Sequence, residues 1–77
     1  MTRKLNKIKV YIKLDKDNNI ISINSNIFLD DVDKWVYLDE GFGDRYIHAS
    51  GLYFDEPLIN DAGDYTFSFV DNQVIKN

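Results

Sequence analysis

The 77-residue chain has no cysteine, one proline, four glycines and one histidine. Without thiols it can form neither disulfides nor thiolate-held metal sites, so its stability must come from an apolar core or from association, self-association into a homo-oligomer included. A lone histidine, His48, cannot build a multi-histidine metal centre, and nothing at a recognisable spacing completes a catalytic triad with it. No apolar run approaches the roughly 18 to 20 residues of a membrane helix. The charged start Met1-Thr2-Arg3-Lys4 leads into alternating hydrophobicity, which predicts neither a signal peptide nor a membrane partner.

What is present points to a folded domain. Hydrophobic residues make up 44% of the chain and aromatics 14%, too much for a disordered tail. At this length the expectation is one domain, residues 1–77, burying about 60% of its unfolded surface. The net charge of -4 and pI near 4.7 argue against direct nucleic-acid binding. That average hides an asymmetry: residues 1–16 carry six cations against Asp15, a net +5, whereas residues 30–64 carry ten acids against Lys34 and Arg45, a net -8.

Period-two alternation is clearest in residues 7–14, where Ile8, Val10, Ile12 and Leu14 alternate with Lys7, Lys9, Tyr11 and Lys13. Asp15 to Asn19 supply turn residues, and Ile20 to Asn24 a return strand in which Ile21 and Ile23 alternate with Ser22 and Asn24. Asp30 to Lys34 read as a polar loop or single turn, Trp35 to Leu38 as a strand, and Asp39 to Asp44 as a compact loop. Tyr46 to Phe54 read as an irregular crossover or a short strand. Asp61 to Asp64 form a turn, after which Tyr65, Phe67 and Phe69 alternate with Thr66 and Ser68. Asp71 to Gln73 turn that strand back on Val74 and Ile75. The prediction is a mainly β, small single-domain antiparallel sheet built from hairpins, with little or no helix. Ile8, Val10, Ile12, Leu14, Trp35 and one side of the Tyr65–Phe69 strand face the core.

Candidate chemistry is sparse. Asp15, Asp17 and Asn19 match the first, third and fifth places of a calcium loop, but Ile20 replaces its glycine and Asn26 its final glutamate. Asp30, Asp31 and Asp33 form a solvated acidic loop, and Asp39 and Glu40 are loop acids whose neighbouring positions point them apart. Gly41-Phe42-Gly43 lacks the third glycine, the lysine and the following helix of a phosphate loop. No catalytic residue, metal or cofactor is expected. The nine aromatics from Trp35 to Phe69 exceed what so small an interior can hold, so some are available for contact with a protein or glycan.

The stretch Trp35-Val-Tyr-Leu-Asp39-Glu-Gly-Phe-Gly43-Asp-Arg-Tyr46-Ile-His48-Ala-Ser-Gly51-Leu-Tyr53-Phe-Asp-Glu-Pro57-Leu resembles a short module of bacteriophages and prophages of Gram-positive bacteria. It shares that module's glycine and acid-rich loop, its Tyr-x-His-Ala core and the aromatic pair behind it, departing at Ile47 and Ser50. The resemblance implies a non-enzymatic tail or baseplate-associated component, structural or receptor-binding, acting through protein–protein contacts with a tail or fibre protein. It would reside in the virion tail, or in the host cytoplasm during assembly. The alternative is a soluble phage accessory protein, either a tail-fibre assembly factor or an acidic inhibitor of a host nuclease working through residues 30–64. Gly41, Phe42, Gly43, Asp44, Tyr46, His48, Gly51 and Tyr53 form the candidate binding loop. Within it the glycines shape the backbone, Tyr46 and His48 brace it, and Phe42 and Tyr53 are its exposed anchors.

Overall fold

The lysine-rich alternating run becomes β1 (Ile8–Leu14) in the computed structural model, which describes residues 7–77. The charged start Met1 to Lys4 lies outside the described residues. Val10 and Ile12 are fully buried, Ile8 and Leu14 partly so, and Lys9 is exposed, as the alternation requires. At the turn, the Asp15 carboxylate accepts the backbone N–H groups of Asp17 and Asn19 and the Asn19 side-chain amide, at 2.8 to 3.1 Å. These bonds, that of the Asn19 side chain first, hold its carboxyl below the usual carboxylate range. The triplet resembling a calcium loop is thus internally bonded as a turn, with Asn18 in the left-handed region at φ 67°.

β2 (Ile20–Ser25) runs antiparallel to β1, but not in simple alternation. Leu14 pairs with Ile20 and Lys13 with Ser22, leaving Ile21 as an extra residue in a bulge. Ile20 and Ile23 therefore both face the core, and Ile21, expected on the same side as Ile23, is 42% exposed. β3 (Val36–Gly41) pairs with the other edge of β1, giving the order β2-β1-β3. It begins one residue later than the sequence pattern predicts and extends through Asp39, Glu40 and Gly41, which that pattern assigns to a loop. A second bulge, at Leu38, lets Asp39 pair with Val10 while Tyr37 pairs with Tyr11. Trp35 is not a core residue. It lies on the outward face, with the Lys13 Nζ 4.9 Å from its ring centroid.

Past β3 the chain folds over the inward face as two single helical turns, α1 (Asp44–Ile47) and α2 (Ala49–Leu52), where a crossover or strand was expected. On either side of the break at His48, Tyr46, Ala49 and Tyr53 all pack on the buried core. The buried Ser25 hydroxyl donates to the Ile47 carbonyl at 2.8 Å, tying β2 to the end of α1. After a turn in which Gly63 takes φ 84°, β4 (Phe67–Val70) and β5 (Gln73–Lys76) form the terminal hairpin. Asp71 and Asn72 at φ 52° and 63° make the two-residue turn whose twist matches the strands it joins. Tyr65 falls short of β4 and is exposed, in a single bridge with Ile59. The hairpin docks where the Phe69 N–H donates to the Asn18 carbonyl at 2.9 Å and where Phe67 enters the core.

The bulge at Ile21 sets a testable contrast between two isoleucines two positions apart. Ile23→Ala should cost about 2–4 kcal/mol by opening a cavity, whereas Ile21→Ala should cost about 0.5 kcal/mol or less, both read from urea unfolding. Equal costs would mean that β2 alternates without a bulge.

Candidate functional site

The segment from Gly41 to Tyr53 is built around a ring lying on a bare backbone. A Cβ placed on Gly41 would sit 2.5 Å from Cζ of Tyr46, so glycine is required here for the tyrosine ring to reach the sheet. Gly43 has another role: at φ 99° it occupies the left-handed region and turns the chain out of β3, while its carbonyl accepts the N–H groups of Tyr46 and Ile47. Nothing crowds Gly43, so its constraint is conformational alone. Asp44 opens α1 at the surface, and its carbonyl accepts the His48 N–H at 2.8 Å.

Tyr46 and Tyr53 meet edge to face with centroids 5.9 Å apart. Tyr53 continues to Phe54 at 5.1 Å, and Phe54 stacks on Phe67 of β4 at 4.3 Å and 18°. This aromatic column joins β3, the helical turns and the terminal hairpin. Two polar contacts lock it. The Tyr53 hydroxyl donates to the Asp39 carboxylate at 2.8 Å, and the Arg45 guanidinium lies 4.4 Å from the Tyr53 ring centroid while its Nε donates to the Tyr53 carbonyl at 3.3 Å. Burial, followed by the bond to Asp39, raises the Tyr53 hydroxyl well above its ordinary pKa.

The expected division of roles is therefore partly reversed. Tyr53 is a half-buried brace instead of an exposed anchor, because its hydroxyl has an acceptor on β3. His48 is exposed instead of bracing the loop: it sits at the break between the two turns, its ring 5.7 Å from that of the exposed Phe28. Phe42 is 56% exposed, and Gly51 lies exposed on α2, free of close neighbours. The sequence pattern makes Asp39 a loop acid and gives Arg45 no role. Asp39 became a partner of Tyr53 only through the extension of β3, and Arg45 carries no signal beyond standing next to Tyr46.

Beside α2 opens a cleft of about 330 Å³, floored by Ile23, Ala49 and Phe54 and flanked by Gly51, Asp55 and Glu56. An apolar floor beside carboxylates suits an aliphatic or aromatic side chain neighbouring a cation. The outward face of the sheet carries a second phenol–carboxylate pair: the Tyr37 hydroxyl donates to Glu40 at 2.7 Å, and this bond leads in raising Tyr37 from 10.0 to about 12. With its folded pKa raised, Tyr37 contributes its stabilisation in full below pH 10 and loses it as pH rises through about 12. Comparison with family models, with curated proteins and with solved structures finds no match.

The close approach at Gly41 is directly testable. Gly41→Ala should cost about 1–3 kcal/mol by overpacking against the Tyr46 ring, and the cost should shrink in a Tyr46→Leu background. A cost that does not change in that background would place the ring elsewhere.

Proposed function

We propose that the chain is a non-enzymatic module that binds another protein through the Gly41–Tyr53 segment, with Phe42 as its anchor. The observation that carries this reading is the exposure of a phenylalanine on a backbone braced from both sides. Gly41 is held under Tyr46, and the turn at Gly43 leads directly into the tyrosine column. A large apolar side chain held in one place loses little entropy on binding, which suits it to fill a partner's pocket. The cleft beside α2 supplies a complementary socket within the same segment. The likeness of residues 35–58 to the modules of Gram-positive phages supports a tail or baseplate protein as the partner and the virion, or the assembling particle, as the setting.

Co-expression with tail and baseplate proteins of a Gram-positive phage, followed by size-exclusion chromatography, tests the reading. The wild-type chain should co-elute with one of them and should appear at stoichiometric abundance in purified particles. Phe42→Ala should abolish co-elution with its melting temperature within about 2 °C of wild type, since truncating an anchor costs roughly 2 kcal/mol or more of binding and a surface change little stability. Unchanged co-elution of Phe42→Ala would remove Phe42 as the anchor, and absence of the chain from both complexes and particles would contradict the tail assignment.

A further inference from the structure

The outward face of the three-stranded sheet is untouched by the segment just described, and its composition is unlike that of the chain as a whole. Lys9, Tyr11 and Lys13 project from the central strand β1 at intervals of about 6.8 Å, the two-residue repeat of an extended chain, and the exposed Lys7 immediately precedes the strand. Tyr37 on β3 stands beside Tyr11, centroids 6.1 Å apart and rings at 81°, with 46% of its surface exposed. Trp35 lies beneath Lys13. Ser22 and Asn24, paired with Lys13 and Tyr11, line the β2 side. The acid on this face is Glu40, opposite Lys9, and its Oε1 is engaged by the Tyr37 hydroxyl. Among the described residues the ion pair that forms is Lys76–Glu56, so Lys9 and Lys13 contact no carboxylate.

We propose that this face binds single-stranded nucleic acid, with a base stacked on Tyr37 and the phosphates met by Lys7, Lys9 and Lys13. Cations spaced along one strand with an exposed aromatic beside them fit a polymer that carries a phosphate and a π-face in every repeat. A neutral glycan would leave the lysines unused, and an acidic peptide would leave Tyr37 unused. The chain's negative net charge does not oppose this, because charges on other surfaces are screened over about 8 Å at physiological ionic strength. Duplex fits less well, because stacking on Tyr37 needs unpaired bases.

Trp35 is the single tryptophan and lies on the face itself, so its fluorescence reports binding in the full chain. A short oligothymidylate at low salt should change that fluorescence, with a logarithmic salt slope of about -2 for three phosphates neutralised. Lys9→Gln/Lys13→Gln should shallow the slope by about 1.4. Tyr37→Ala should weaken binding roughly tenfold, with Tyr37→Phe keeping most of it. Phe42→Ala should bind as wild type does, which separates this face from the protein-binding segment, and the melting temperature of every variant is checked alongside. No response to oligothymidylate would overturn the proposal. So would equal affinity for a duplex of the same length, equal affinity for inorganic polyphosphate with no dependence on Tyr37, or a response to neutral maltoheptaose alone.

Discussion

A tyrosine ring resting on a glycine holds the parts of this domain together. Because Gly41 has no side chain, Tyr46 can lie on the end of β3, and from that contact the column runs through Tyr53 and Phe54 to Phe67 in the terminal hairpin. The buried aliphatic core is small, Val10, Ile12, Ile20, Ile23 and Ala49, too little by itself to anchor two helical turns and a separate hairpin. The aromatic rings supply the missing contact area, and the Asp39 and Arg45 contacts to Tyr53 fix their order.

Two bulges decide what each face of the sheet presents. Ile21 is expelled so that Ile20 and Ile23 can both reach the core, and Leu38 is inserted so that Asp39 turns inward toward Tyr53 while Tyr37 stays outward beside Tyr11. The inward face thereby acquires its helical cover and the braced segment bearing Phe42. The outward face keeps Tyr37 beside the lysines that β1 presents by its own alternation. The two proposed contacts accordingly fall on opposite faces of the sheet.

The strands that alternate cleanly were legible in the sequence, β1 above all, and so were the turns marked by Asp15–Asn19, Asp61–Asp64 and Asp71–Asn72, where side chains and left-handed residues dictate the conformation. The bulges were not, because one extra residue in a ladder leaves no mark in a chain whose isoleucines occupy positions 20, 21 and 23 alike. The helical turns were not legible, because two four-residue turns interrupted at His48 are shorter than the window in which periodicity is persuasive. Of the candidate segment, the conformational need for glycine was readable at 43, whereas at 41 the reason is the Tyr46 ring, a contact the sequence does not reveal. The partners of Tyr53 were not readable, since Asp39 reaches it across fourteen residues through a strand longer than its apolar stretch.

The most direct test of this account is the nuclear magnetic resonance signature of Gly41. With the Tyr46 ring packed over its backbone, the Gly41 α-protons should be shifted strongly upfield and show cross-relaxation to the Tyr46 ring protons, and both effects should vanish in Tyr46→Leu. Gly41 α-protons at ordinary strand shifts with no cross-peak to that ring would contradict the central contact, and with it the bracing of everything from β3 to the terminal hairpin.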